Sequence, residues 1–303
     1  MQNNEAELKI GGQRVRVTHL NKIFWPKEKY TKGDLINYYR QVSKYILPYL
    51  IDRPESLNRH PNGINGPSFF QKDVDHMPPK WIKTAKVYSE SNAADIHYMV
   101  IQDEASLIYT VNLGCIEINP WFSRVQHLDK PDYLVLDLDP LNISFKYVIE
   151  TALVIHKILD KARVKNYCKT SGATGLHIYV PLGAKYSYEQ AKHFAQIIAM
   201  LTNKRLPKTT SVLRMPNRRQ NKIYLDFLQN RKGQTLAAPY SVRPKPGATV
   251  ATPLKWSEVK TGLDPGKFTI KTIFARLNKH GDLFMPVLGK GVDLKKALKK
   301  LGA

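Results

Sequence analysis

The stretch Lys130-Pro-Asp-Tyr-Leu-Val-Leu-Asp-Leu-Asp-Pro140 carries an apolar run into two carboxylates, Asp137 and Asp139. Such a run suits a buried strand, and side chains two apart on a strand leave by the same face. Two anions held side by side on a rigid element repel each other unless a cation lies between them, which is how a divalent-metal site is built. An isolated Asp-x-Asp is most often a solvated turn. Here Leu134, Leu136 and Leu138 fill the opposite face, so the strand is expected to be central and its acidic side to look onto something specific.

Asp-x-Asp also opens haloacid-dehalogenase phosphatases and marks many glycosyltransferases, so the surrounding topology has to decide. After Pro140, Val148, Ala152, Ile155 and Leu159 recur at helical spacing behind Ser144 as a candidate N-cap, predicting a helix to Ala162. Residues 164–170 and 176–181 read as two strands joined by Ser171-Gly-Ala-Thr-Gly175. Ser187-x-x-Gln190 is a capping-box pattern that opens a helix to about Leu201. Residues 222–229 give a last strand, with Ile223, Leu225 and Phe227 on one face and Asp226 on the other.

Strand, helix, strand, strand, helix, strand is the split βαβ of ferredoxin-like and RRM-like domains, whose spatial order is fourth, first, third, second. That order sets the strand of Asp226 beside Asp137 and Asp139, and the strand of His177 on the other side. The hairpin at 164–181 breaks the strand-helix alternation that a parallel phosphatase sheet requires. The fold class is therefore read as α+β, with an RRM-like βαββαβ catalytic sheet packed against a second, β-rich amino-terminal layer.

Three clustered aspartates suit two magnesium or manganese ions, which take oxygen ligands and clamp the attacking and leaving oxygens of a phosphoryl displacement. Basic residues surround them in sequence: Arg214, Arg218, Arg219, Lys222 and Arg243. A basic cluster alone is usually a solvated surface; beside three acids it reads as a triphosphate and nucleic-acid cradle. Ser171, Gly172 and Gly175 can offer hydroxyl and N–H groups to phosphate, and His177 shares the acidic face.

The ordered set Asp137-Leu-Asp139, Ser171-Gly-Ala-Thr-Gly-Leu-His177, Asp226 and Ala238-Pro-Tyr-Ser-Val-Arg243 resembles the polymerase domain of bacterial ligase D, of the archaeo-eukaryotic primase superfamily. The resemblance runs from about Thr18 to Leu283. It implies a template-directed nucleotidyltransferase of non-homologous end joining, with Asp137, Asp139 and Asp226 on two metal ions, often manganese. Ser171, Gly172 and His177 would meet the incoming nucleotide, and Arg219, Lys222 and Arg243 the triphosphate or template. Relatives favour ribonucleotides and fill gaps beside a downstream 5′-phosphate; by the same resemblance Lys22, Lys32 and Arg59 would hold that phosphate and Phe69 or Phe70 would stack on the template. Asn119 stands where many relatives carry a ribose-contacting histidine, and Thr174 where some carry lysine. The implied partners are gapped, overhanging or broken DNA, nucleoside triphosphates, Ku and a DNA ligase, in a prokaryotic cytoplasm at the nucleoid. A primase of the same superfamily and a non-catalytic RRM-like binding protein are the alternatives.

In the amino-terminal half, Thr31 opens an amphipathic helix ended by Pro48, and strands are expected near 95–101, 105–111 and 114–119. No long Pro/Gly/Ser linker interrupts the chain. The reading is one bilobal unit over 1–303: a β-rich lobe at 1–128, a catalytic lobe at 129–245 and a carboxy-terminal extension at 246–303. The net charge of +22, from 47 basic and 25 acidic residues, fits a polyanionic partner. No apolar run of membrane-spanning length or signal pattern is present, and the two cysteines, Cys115 and Cys168, form no zinc motif and suit a reducing compartment.

Overall fold

The computed structural model describes residues 4–90, 93–219 and 221–302. The chain divides into two compact units, each assembled from three segments: 1–126, 235–251 and 266–278 in the first, 127–234, 252–265 and 279–303 in the second. The chain first passes from one unit to the other after Gln126, and residues from 246 onward are divided between both.

The first unit begins with the hairpin β1 (Glu5–Ile10) and β2 (Gln13–Thr18), then the short pair β3 (Ile23–Trp25) and β4 (Tyr30–Thr31). Thr31 caps α1 (Lys32–Ile46), its hydroxyl accepting from the Asp34 N–H while the Asp34 carboxylate accepts from the Thr31 N–H. Next come β5 (Pro54–Arg59), β6 (Phe69–Gln71), β7 (Thr84–Ser89), β8 (Ala94–Val100), α2 (Glu104–Asn112) and β9 (Cys115–Pro120). The sheet order is β6-β5-β8-β7, with β9 on the other edge of β5. Leu35, Tyr39, Val42 and Ile46 of α1 pack with α2, whose Leu107, Ile108 and Val111 are fully buried.

One expected strand is a helix. Residues 105–111 are rich in β-branched and aromatic side chains, which biases a local reading toward strand. Asp103 overrides that bias: its carboxylate accepts from the Ser106 N–H and the Ser106 hydroxyl accepts from the Asp103 N–H, starting α2 with both first-turn donors satisfied.

The second unit carries β10 (Tyr133–Pro140), α3 (Phe145–Lys161), β11 (Tyr167–Thr170), β12 (Leu176–Pro181), α4 (Tyr188–Arg205), β13 (Thr210–Ser211) and β14 (Ile223–Asp226). With β15 (Pro253–Leu254) the sheet order is β13-β14-β10-β12-β11-β15, antiparallel except between β13 and β14. The four central strands stand in the expected order. Leu134, Leu136, Leu138, Leu176, Ile178 and Val180 are buried, on the face that α3 and α4 cover with Val148, Ala152, Ile155, Ala191, Phe194 and Ile198. Two helices complete the chain: α5 (Ile273–His280), whose buried Ile273 and Leu277 belong to the first unit, and α6 (Leu294–Leu301) in the second.

Three local readings need correction. Ser144 precedes α3 in extended conformation, but its side chain makes no capping bond. α4 continues to Arg205, four residues past Leu201. The strand expected at 222–229 stops at Asp226, because the Asp226 carboxylate accepts from the Leu228 N–H and folds the chain into a 3-10 turn. Asn230 then substitutes for the missing strand: its Oδ1 accepts from the Val135 N–H at 2.8 Å and its Nδ2 donates to the Val135 carbonyl at 2.7 Å. Both cysteines are buried thiols, and among the described residues no helix is long and apolar enough to cross a membrane.

Gly175, at the entry to β12, has no room for a side chain: a Cβ there would meet the Leu138 carbonyl. Gly175→Ala should therefore displace the loop from β10 at a cost of about 1–3 kcal/mol. Thermal unfolding should show a lower midpoint for this variant, while Thr174→Ala leaves it unchanged.

Candidate active site

Strand pairing determines which side chains meet. Asp137 lies directly opposite Asp226 on β14 and opposite His177 on β12, and Asp139 follows two residues on. Directly opposed residues of an antiparallel pair share a face, so all four stand on the sheet side away from α3 and α4. His177 is almost fully buried, and its Nε2 lies 3.3 Å from Asp137 Oδ1. The ring is thus a partner of the carboxylate, on the face where the sequence reading expects a contact to phosphate or ribose.

Arg219 reaches the same face. Its Nη1 donates to Asp139 Oδ2 at 3.1 Å, Nε donates to the Leu213 carbonyl and Nη2 to the Arg214 carbonyl. Its guanidinium stacks 4.0 Å from the Tyr224 ring centroid. Tyr224 was missed by sequence reasoning, although its position two residues before Asp226 places it on the acidic face. Burial, and then the neighbouring Asp226 charge, push its phenol up to about 12.

Electrostatics identify the site's demand. Asp139 is raised above the ordinary carboxylate range by burial first and by the Asp137 charge second, with Arg219 opposing. Asp226 is raised by the same two causes, with the Leu228 N–H opposing. Among the described residues no three His, Cys, Asp or Glu side chains form a ready-made metal cluster. Each carboxylate instead has a protein partner: His177, Arg219 or the Leu228 N–H. The donor set still fits a hard divalent cation, since these are oxygen ligands crowded by burial and mutual repulsion, and a cation relieves both.

The loop beside β10 is organised by Ser171. Its hydroxyl accepts from the Ala173 N–H at 3.1 Å and the Gly175 N–H at 3.0 Å, so those amides turn onto the serine. Gly172 takes φ +75°, the left-handed conformation glycine tolerates. Lys222 points elsewhere, its Nζ donating to the Pro207 carbonyl at 2.9 Å. Arg214 and Arg218 are exposed.

Asn119 and Arg243 belong to the first unit. Arg243 Nε lies 2.8 Å from Glu117 Oε2, and the Asn119 side chain donates to the Glu117 carbonyl at 3.3 Å. Glu117 also went unread; its period-two spacing from Asn119 on β9 was the available signal.

The first unit holds a cavity of about 290 Å³ lined by Lys22, Lys32 and Arg59. Three residues distant in sequence thus line one cavity. Thr18, His19 and Asn112 are among the other lining residues, and a bond from the Thr18 N–H to Asn112 Oδ1, which no local pattern announces, joins two of them. Lys22 Nζ donates to Asn62 Oδ1 and Lys32 Nζ to the Thr18 carbonyl. Phe69 and Phe70 are both solvent-facing, 47% and 62% exposed, so neither is a buried plug.

The family profile described as the primase-polymerase domain of LigD matches residues 31–284. The chain belongs to this family. Membership makes it a nucleotidyltransferase of the primase-polymerase kind. The bifunctional non-homologous end joining protein LigD of Bacillus subtilis is 34% identical over 270 residues, covering 88% of this chain and 43% of that protein. The multifunctional non-homologous end joining protein LigD of Mycolicibacterium smegmatis is 28% identical over 280 residues, covering 91% and 36%. The chain thus spans less than half the length of these LigD relatives. Among solved structures, the polymerase domain from Mycobacterium tuberculosis ligase D in complex with DNA matches with a TM-score of 0.84 at 26% identity, covering 92% of this chain and 100% of that one. The mixed α+β fold is therefore that of the LigD polymerase domain.

Proposed function

We propose that this chain is a template-directed polymerase that adds nucleotides, ribonucleotides by preference, at DNA ends and short gaps during non-homologous end joining. The observation that carries the reading is the register of β10 with β14, which sets Asp137 against Asp226 with Asp139 one step along the same face. The sheet is read as an RRM-like catalytic platform and the two units as the lobes of one polymerase. Asp137, Asp139 and Asp226 would hold two divalent ions, magnesium or manganese. Such ions supply Lewis-acid stabilisation of the charge that develops on the transferring phosphate and its leaving group.

The chain's own residues do the positioning. His177 orients the Asp137 carboxylate. Ser171 and Gly172 shape the loop next to the incoming sugar and phosphates. Arg219 would supply a cationic donor for the triphosphate, Lys222 and Arg243 would serve the triphosphate or template only once released from the Pro207 carbonyl and from Glu117, and Asn119 would offer the sugar hydroxyl a hydrogen bond worth several-fold in selectivity. Lys22, Lys32 and Arg59 would seat a downstream 5′-phosphate, and Phe69 or Phe70 would stack on the template, a contact indifferent to base identity. Partners consistent with this are broken or gapped DNA, nucleoside triphosphates, Ku and a DNA ligase, at the bacterial nucleoid.

The test is primer extension on a gapped duplex with each of the ribo- and deoxyribonucleotides and with either metal. Extension that copies the template supports the reading; stable DNA binding with no incorporation under any combination would replace it with a non-catalytic binding module. Arg219 gives a second check, because in this arrangement it competes with a cation for Asp139. Arg219→Ala should lower the metal concentration needed for half-maximal extension. It should also raise the nucleotide KM roughly ten- to hundredfold, the worth of a charge-assisted contact. Steady-state titrations of metal and nucleotide read both effects, and unchanged values in both would remove Arg219 from the site.

A further inference from the structure

Arg59 has two roles in the geometry. Its guanidinium lines the cavity shared with Lys22 and Lys32, and it also lies 5.3 Å from the centroid of the Phe69 ring. Arg59 and Phe69 are paired residues of β5 and β6. The arginine is pinned on two further sides: Nε donates to the Leu113 carbonyl at 3.0 Å and Nη1 to Gln71 Oε1 at 2.8 Å. Gln71 in turn donates to the Asp73 carbonyl at 3.1 Å. Among the described residues no carboxylate pairs with Arg59, which leaves its charge available to an anion in the cavity.

We propose that Arg59 is a positioning residue that couples recognition of a terminal phosphate in the cavity to stacking of a nucleic-acid base on Phe69. The inference rests on the reading of these two sites given above. The bonds at Nε and Nη1 already set the plane of the guanidinium, and a phosphate drawn into the cavity would engage its remaining donors in that plane and tighten it. The same plane lies against Phe69 in a cation–π contact, so tightening the guanidinium also tightens the half-exposed ring as a platform. Base stacking on that platform holds the guanidinium in the orientation the phosphate prefers. Such coupling is reciprocal: whatever factor the phosphate adds to stacking, stacking adds to phosphate affinity. A cation–π contact at an exposed site sets that factor at about two- to fivefold.

The experiment measures affinity for a gapped duplex with and without the downstream 5′-phosphate, in the unaltered protein, Phe69→Leu, Arg59→Lys and the double variant. A fluorescent purine analogue at the template bend reports stacking. In the unaltered protein, phosphate should tighten binding and deepen the quenching of the analogue. Phe69→Leu should shrink the phosphate effect about two- to fivefold, although Phe69 touches no phosphate. Arg59→Lys keeps a charge in the cavity but loses the planar contact, so phosphate should still tighten binding without changing the quenching, and adding Phe69→Leu should then alter nothing further in the phosphate effect. A phosphate effect of the same size in Phe69→Leu as in the unaltered protein overturns the coupling while leaving the phosphate site standing. If the unaltered protein ignores the phosphate, the cavity reading fails and the coupling fails with it.

Discussion

Asp137→Asn, Asp139→Asn and Asp226→Asn should each abolish primer extension, by at least about 10²–10³-fold, the usual loss when one electrostatic stabiliser of a transition state is removed. Asparagine keeps the volume and the hydrogen-bonding reach of aspartate and removes only the charge. DNA affinity should survive, because it comes from neutralising phosphates with a surface that carries the +22 net charge. Melting separates lost chemistry from lost fold. After burial, the Asp137 charge is the second cause that raises Asp139 and Asp226, so Asp137→Asn relieves that repulsion and should melt no lower than the parent without added metal. This is the exchange of activity for stability expected where like charges are crowded for function. Near-normal extension by any of the three variants would sink the three-carboxylate site.

The Lys22→Ala/Lys32→Ala double variant should lose its preference for 5′-phosphorylated gaps, by roughly 10–100-fold for each charge-assisted contact removed, while still extending a simple primer-template. The same cavity carries a pH signature. Burial first, and then the Lys22 and Arg59 charges, pull the Lys32 ammonium down to about 8. Below that pH Lys32 is charged and ready for an anion. Above it the free protein gives up the proton, and phosphate must recover it in order to bind, so affinity should fall by up to about tenfold per pH unit. At the acid end a phosphomonoester takes up its second proton near about pH 6. The phosphate-dependent part of binding should therefore peak between about pH 6 and about 8. Lys32→Arg should push the alkaline limb out of the accessible range. A flat profile from pH 6.5 to 9.5, measured by titrating phosphorylated and unphosphorylated duplexes, would remove Lys32 from the phosphate site.

What the sequence disclosed follows the range of each signal. The central strands of the second unit were legible because Leu134, Leu136 and Leu138 alternate with Asp137 and Asp139 over a full strand, and the spacing of helices and hairpin then dictated neighbours. β13 and β15 were not, since two residues each carry no period. The helix at α2 was masked by strand-favouring side chains, and its cap at Asp103 and Ser106 outweighed them. In the candidate site, Asp226 and His177 could be placed because register is a property of the whole strand. The Arg219 contact to Asp139 and the Asn112 contact beside the Lys22, Lys32 and Arg59 cavity span 80 and 94 residues, and nothing local encodes them. Lys22, Lys32 and Arg59 were found through family resemblance rather than through pattern.

The threading of the chain sets an order of events during synthesis. Five times the polypeptide leaves one unit for the other, and the first unit is closed by late arrivals. The Ala238 N–H bonds the Ile118 carbonyl, the Tyr38 hydroxyl donates to the Tyr240 carbonyl, and Phe274 lies 5.7 Å from the Tyr38 ring. At about 5–20 residues per second on the ribosome, roughly ten to fifty seconds separate the emergence of α1 from that of Asn278. Throughout that interval the nascent lobe lacks its final wall, and Tyr38 and Tyr39 lack the cover of the returning segments 235–251 and 266–278. A fragment ended at residue 128 should stay in that unfinished condition, prone to associate with other chains, so dissecting this protein calls for permuted or split designs that supply residues 235–278 in trans rather than for simple truncation.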